Sequence, residues 1–289
     1  MSRKRRREVM GLAEKETNLY PEIEGKLRLL ALPLDKPGPG DWLAEHRERG
    51  QTFRQYLSAN PVRRGNGLNA IYLCLLGDFT EPQERILERA REYLGLWFDV
   101  PVHVRCRVPL SAIPAHARRR HPEWGDQQLL TTFLLRELLE PDRPDDALAY
   151  LALTARDLWP GQGWNFMFGE ADFRRRVGVW SLYRYGNPGK SAKEYRRCLR
   201  RTLMLATHET GHVLTMAHCT AYRCLMNGIN SQQELDRSPM YPCPVCLRKL
   251  LWNLQVEPVP YLKRVEEFCR QHGLEEAVWY AEAVAELEK

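Results

Sequence analysis

Apolar positions along this chain change period at points that read as element boundaries. Residues 1 to 66 carry no sharp pattern. They contain Pro33, Pro37-Gly38-Pro39-Gly40 and Pro61, and only Trp42 to Leu57 has an amphipathic, helix-like spacing. From Ala70 the signal sharpens: Ala70-Ile71-Tyr72-Leu73-Cys74-Leu75-Leu76 is a short apolar run closed by Gly77-Asp78, as expected of a buried strand. Thr80-Glu81-Pro82-Gln83 opens a helix, with Pro82 in its first turn and Ile86, Leu87, Ala90 and Leu94 at helical spacing. Val100 to Val108 alternates and predicts a return to the sheet. Gln127 to Leu139 predicts a leucine-rich helix, and Ala147 to Thr154 another strand. Asn165 to Ala171 and Val177 to Tyr183 are joined by a short arginine-rich link, which suits antiparallel neighbours.

After Pro188-Gly189, Ser191 begins a long helix whose inward stripe is Tyr195, Cys198, Leu199, Thr202, Leu203 and Ala206, and which ends in His208 and His212. Helical spacing returns over Leu247 to Leu254 and Tyr261 to Leu287, and no internal repeat is present. The fold class expected is α/β (α+β): a mixed, twisted sheet beside the long helix, followed by a helical C-terminal part. Three stretches are expected: residues 1–66 as a basic extension, 67–258 as the main domain, and 259–289 as a helical segment.

The chemistry concentrates at the end of that helix. His208-Glu209-Thr210-Gly211-His212 puts two imidazoles at i, i+4 on one helix face, and His218 follows six residues later. Neutral imidazoles suit Zn²⁺, and Glu209, beside the first ligand, can accept a proton from water activated by the metal. His218 comes too late for the same face, so the chain has to turn to return it. This pattern reads as a zinc hydrolase site, and a peptidase in particular. Cys219 and Cys224, with four residues between them, and Cys243 and Cys246, after eighteen intervening residues, form two close thiol pairs across a loop. That spacing fits a closed tetrahedral structural zinc site, which would anchor the loop carrying His218.

Composition narrows the remaining classes. No apolar run approaches the ~20 residues of a membrane span. Basic Met1 to Arg7 has no apolar segment behind it, so it reads as a disordered tail rather than a secretory signal. A cytoplasmic location follows as the expectation. The eight cysteines then stay reduced, which favours metal ligation, with Cys74, Cys106, Cys198 and Cys269 as scattered buried thiols. The net charge of +6 rests on arginine clusters at Arg5 to Arg7, Arg118 to Arg120, Arg174 to Arg176 and Arg196 to Arg201. Without a recognition helix, ribonucleoprotein aromatics or finger spacing, these read as solvated surface rather than a nucleic-acid site.

The motif combination His208-Glu209-x-x-His212-x5-His218-Cys219-x4-Cys224-x-Met226, then Cys243-Pro244-Val245-Cys246, resembles the archaemetzincins, metzincin-type zinc metallopeptidases. Gly40-Asp41-Trp42-Leu43 and Phe166 to Ala171 share the resemblance, which is strongest over about 67 to 255. It implies a metzincin-like fold with a zinc-stapled C-terminal subdomain and two zinc ions. His208, His212 and His218 would hold the catalytic one, with Glu209 as general base. Cys219, Cys224, Cys243 and Cys246 would hold the structural one. Met226 takes the place of a supporting methionine in a tight turn. The segment Asn165, Phe166, Met167, Phe168, Gly169, Glu170 and Ala171 becomes the edge strand along which an extended peptide or protein substrate lies. Asn227, following Met226, offers no tyrosine there as an extra ligand.

One departure stands out. Metzincins usually carry glycine where this chain has Thr215, because the exit from the helix uses a positive φ. Either the turn here avoids left-handed geometry, or surrounding structure holds a strain of about 1–2 kcal/mol. The expected function is a monomeric, zinc-dependent peptidase. The rival is a non-catalytic, zinc-stabilised interaction protein of the same fold.

Overall fold

Residues 20–289 are described in a computed structural model; the basic run at Met1 to Arg7 lies outside the described residues. The helices in chain order are α1 (Glu22–Lys26), α2 (Trp42–Glu45), α3 (Phe53–Ser58), α4 (Glu81–Phe98), α5 (Thr131–Phe133, continued by a π-helical stretch Leu134–Leu139), α6 (Ala192–Val213), α7 (Gln232–Arg237), α8 (Pro244–Leu254), α9 (Pro258–Gln271) and α10 (Ala277–Glu288). The strands are β1 (Ala70–Leu76), β2 (Val102–Val108), β3 (Arg118–Arg120), β4 (Gln127–Leu130), β5 (Ala147–Thr154), β6 (Asp157–Trp159), β7 (Gly169–Asp172) and β8 (Val177–Ser181). By contacts the chain forms two compact units, each built from separated segments.

The unit made of residues 63–214 and 272–274 is organised by a five-stranded sheet in the order β2-β1-β5-β8-β7. Four strands run parallel and β7 pairs antiparallel with β8 at the edge. Every residue of β5 is buried, which explains its unbroken apolar sequence: a central strand covered on both faces has no polar side to present. A capping box starts α4, with Thr80 N–H donating to Gln83 Oε1 at 2.9 Å. Below the sheet, Leu134, Leu135 and Leu139 pack with Tyr150, Ala152, Val177 and Val179. The predicted mixed α/β architecture is therefore the observed one.

Three local expectations change in this unit. Gln127 to Leu139 is not one helix, because Gln127–Leu130 pairs as β4 with β3 and β6 in a second sheet. The buried Gln128 side chain gives the reason: its Nε2 donates to Asp157 Oδ2 at 2.7 Å and to the Asn165 carbonyl at 2.8 Å, fixing the segment to distant partners. Asn165 to Ala171 is a strand only from Gly169. The preceding residues are drawn to that second sheet, with Met167 N–H bonded to the Leu158 carbonyl at 3.0 Å. Cys74 and Cys106 are not scattered but face each other across β1 and β2, their sulfurs 2.6 Å apart.

The second unit contains residues 20–62, 215–271 and 275–289. Here α1 packs on α8 and α10, α3 packs on α8, and α9 pairs with α10. The amphipathic stretch Trp42 to Leu57 is two short helices rather than one, since the chain turns at Gly50 with φ +65°. Tyr261 to Leu287 likewise divides into α9 and α10, turning at Gly273 (φ +65°). Residues 32–34 pair with the loop at 221–223 through backbone bonds of 2.9 and 3.1 Å, so this N-terminal stretch is built into its unit.

Several clustered arginines are paired with acids. Arg175 bridges Asp172 and Glu140, and Arg197 pairs with Glu194. No described helix is long and apolar enough to cross a membrane. Leu151, at the centre of β5, is wholly buried. Leu151→Ala is expected to lower unfolding free energy by about 2–5 kcal/mol, read from the urea midpoint.

Candidate metal centres

Helix α6 carries its chemistry into the interior of its unit. The Ser191 hydroxyl caps the helix by accepting from Glu194 N–H at 3.2 Å. From Arg201 to Gly211 every residue is buried, so polar side chains in this stretch have to be satisfied locally. The Thr202, Thr207 and Thr210 hydroxyls donate to the carbonyls of Cys198, Leu203 and Ala206 at 2.8, 2.8 and 2.7 Å. Arg201 donates to the Tyr185 carbonyl at 2.9 Å.

His208 and His212 stand one turn apart with their Nε2 atoms 2.9 Å from each other and their rings perpendicular. At that spacing either one ring donates to the other or both lone pairs face one cation. The donor set fits zinc, whose bonds to imidazole are about 2.0–2.1 Å long. Glu209 lies beside them, 6% exposed, with its pKa pushed up to about 8, first by burial and then by the charge of Glu170. Edge strand β7 presses on it: a Cβ at Gly169 would sit 3.0 Å from both Glu209 Oε1 and the Val179 carbonyl. Glu170 in turn accepts from the Thr131 hydroxyl. The buried Tyr185 ring feels the Glu209 charge, and its hydroxyl has no hydrogen-bond partner among the described residues.

In the other unit Cys219, Cys224, Cys243 and Cys246 converge, with all four sulfurs within 4.8 Å of one another and buried. Cys243 is the N-cap residue of α8 and Cys246 lies in its first turn, so both stand at the positive end of the helix dipole. The amides of Cys243 and Met226 donate to Cys224 Sγ at 3.2 and 3.4 Å. Hydrogen bonds from its three neighbours draw the Cys219 thiol far below its usual range, while burial drives Cys224 well above. Four buried sulfurs so close together repel one another as thiolates, and a divalent cation would offset that repulsion. The donor set fits a closed tetrahedral zinc site.

Met226 is buried against this cluster, and its carbonyl accepts from Cys219 N–H at 2.7 Å. Asn227 locks the same turn, accepting from Cys224 N–H at 2.8 Å and donating to the carbonyls of Cys219 and Tyr222 at 2.7 and 2.9 Å. His218 Nδ1 lies 2.9 Å from both carboxylate oxygens of Glu48. The ring meets Trp42 edge-on at 5.2 Å, and Trp42 stacks flat on His46 at 3.8 Å. Gly228 leaves room for that indole, which a Cβ would meet at 2.2 Å. Thr215 has φ +69°, so the turn is left-handed despite the β-branched side chain.

Similarity to known proteins now decides the family. The profile of Peptidase family M54 matches residues 113–251. Archaemetzincin-2 of Pongo abelii is 30% identical over 250 residues, covering 75% of this chain and 69% of the relative. The archaemetzincin of Thermococcus kodakarensis is 38% identical over 135 residues, covering 45% of this chain and 70% of that protein. The crystal structure of archaemetzincin from Methanopyrus kandleri superposes with a TM-score of 0.53 at 27% identity, over 67% of this chain and 99% of that one. The chain belongs to the archaemetzincin family. It is a zinc metallopeptidase, a hydrolase acting on peptide or protein substrates.

Sequence reasoning passed over Glu48, Gln51 and Tyr185, and gave Glu170 only as part of the edge strand, not as a neighbour of Glu209. Each meets its partner only through the fold, and no local spacing marks it. Gly169→Ala would press a methyl group onto Glu209 at an overpacking cost of about 1–3 kcal/mol. The variant is expected to keep its circular dichroism spectrum at 25 °C while cleaving a peptide library at least about tenfold more slowly.

Proposed function

We propose that His208, His212 and His218 hold one catalytic zinc and that Cys219, Cys224, Cys243 and Cys246 hold a second, structural one. The observation that carries this reading is the His208–His212 pair, with both Nε2 atoms turned to one point beside a buried carboxylate. Five residues of chain separate His212 from His218, and with His218 Nδ1 engaged by Glu48, that ring ligates through Nε2. Zinc, when bound, supplies the Lewis acidity that makes water nucleophilic near neutral pH.

The chain's own residues do the rest. Edge strand β7 offers unpaired backbone groups to an extended substrate, so main-chain pairing supplies affinity with little demand on sequence. Phe166 and Phe168, 5.4 Å apart edge to face, lead into that strand. Glu209, held against Gly169 of the same strand, takes a proton from the attacking water as its oxygen bonds to the scissile carbon. It then passes that proton to the departing amine nitrogen as the C–N bond breaks. Burial keeps Glu209 out of bulk water and fixes its direction. The cysteine cluster does no chemistry; it ties Cys219, and hence neighbouring His218, to the start of α8.

Glu209→Gln is expected to keep the wild-type zinc content and to lose about 10²–10⁴-fold in peptide cleavage. Metal analysis beside a cleavage assay checks both, and equal loss of zinc would strip Glu209 of the base role. Cys224→Ser is expected to remove one zinc equivalent and to lower the thermal midpoint, because the closed site contributes folding energy directly. Cleavage that survives complete chelation would favour neither zinc role.

A further inference from the structure

Thr215 occupies a left-handed conformation that a β-branched residue adopts only under restraint, and the restraint is visible. Gln51 Nε2 donates to the Thr215 carbonyl at 3.1 Å, and the Thr215 hydroxyl accepts from Val62 N–H at 3.1 Å. Two residues on, Ala217 N–H donates to Gln51 Oε1 at 3.2 Å. One side-chain amide thus grips the backbone on both sides of Met216. The amide is itself fixed, since Lys249 Nζ, on a side chain 1% exposed, donates to Gln51 Oε1 at 3.2 Å and to the Gln51 carbonyl at 2.5 Å.

The same short segment reaches the ligand itself through Glu48, whose carboxylate engages His218 Nδ1. Between the two contacts stands Gly50, φ +65°, where a Cβ would meet Thr220 Oγ1 at 2.5 Å. A side chain there would have to displace the Thr220 hydroxyl and adopt a left-handed backbone, so the segment lies close against the 215–220 loop. All of these partners belong to one compact unit. Glu48 and Gln51 also fall outside residues 113–251, which carry the family profile.

We propose that Glu48 and Gln51 form a positioning strap, anchored by Lys249, that holds Thr215 in its strained turn and aims His218 for metal binding. The strap takes over what a glycine at 215 would do by conformational freedom alone. It sets the geometry of the third ligand and touches neither substrate nor reacting atoms. The inference rests on His218 being that third ligand.

The test measures the zinc affinity of the histidine site by competition with a chromophoric chelator, in the whole 289-residue chain with zinc bound at the four cysteines. Thermal midpoint and the visible absorption of the cobalt(II)-substituted protein are recorded alongside. Gln51→Glu keeps the oxygen that accepts from Lys249 and Ala217 but replaces the donor to Thr215 by an acceptor. It is expected to weaken zinc binding about 10–100-fold and to change the cobalt spectrum, with the cysteine-bound zinc retained. Glu48→Ala is expected to fall in the same range. Adding Thr215→Gly to Gln51→Glu restores affinity to within about threefold of wild type, because glycine needs no hold. Failure of that rescue, or affinities within about twofold of wild type for Gln51→Glu and Glu48→Ala, overturns the strap. If His218→Ala leaves the affinity unchanged, the third-ligand assignment falls and the strap falls with it. If His218→Ala weakens binding while the strap variants do not, only the strap is lost.

Discussion

A helix can turn two imidazoles four residues apart toward one ion, but it cannot supply a third from its own face. His208 and His212 exhaust what α6 can offer, and the chain has to leave the helix between Val213 and His218. That exit is the constraint around which the rest is arranged. It runs through Thr215 at φ +69°, a conformation costing about 1–2 kcal/mol for a residue with a branched Cβ. Beyond the turn, the loop is fastened at Cys219 to the sulfur cluster and at Asn227 to its own carbonyls. A strained turn persists only where its surroundings over-determine it, and here hydrogen bonds and a thiol cluster do so together.

Burial explains why the other end of the problem is solved within α6. Driving the helix terminus into the sheet unit excludes water from Glu209 and raises its affinity for a proton, but leaves many polar groups to satisfy. The threonine hydroxyls turn back onto the helix carbonyls and Arg201 reaches the Tyr185 carbonyl, so these groups are buried with partners. Gly169 then lets the sheet edge close to within contact of the buried Glu209 carboxylate. The same arrangement makes each element intolerant of small changes in volume.

Much of this was legible in the residues. The strands β1 and β5 announce themselves because burial on both faces forbids polar positions. The capped start at Thr80 and the histidine and cysteine groups that could hold metal are local spacings, and local spacings survive in a sequence. What could not be read depends on residues far apart. Gln127–Leu130 looks helical until Gln128 meets Asp157 and Asn165. Cys74 and Cys106 look unrelated until parallel pairing sets them in register. Thr215 was recognisable as an anomaly, yet its resolution lies in Gln51, 164 positions earlier. Glu48 meets His218 across 170 positions of chain. The amphipathic spacing over Trp42 to Leu57 marks only apolar contacts, so the polar reach of Glu48 and Gln51 to the 215–220 loop leaves no pattern to find.

An anomalous difference map recorded at the zinc edge tests the central claim most directly. Two peaks are predicted, one centred among the four cysteine sulfurs at about 2.3 Å and one at about 2.0–2.1 Å from the Nε2 atoms of His208, His212 and His218. A map with the sulfur-bound peak alone, from zinc-replete protein, would contradict the assignment of those imidazoles as the catalytic metal site.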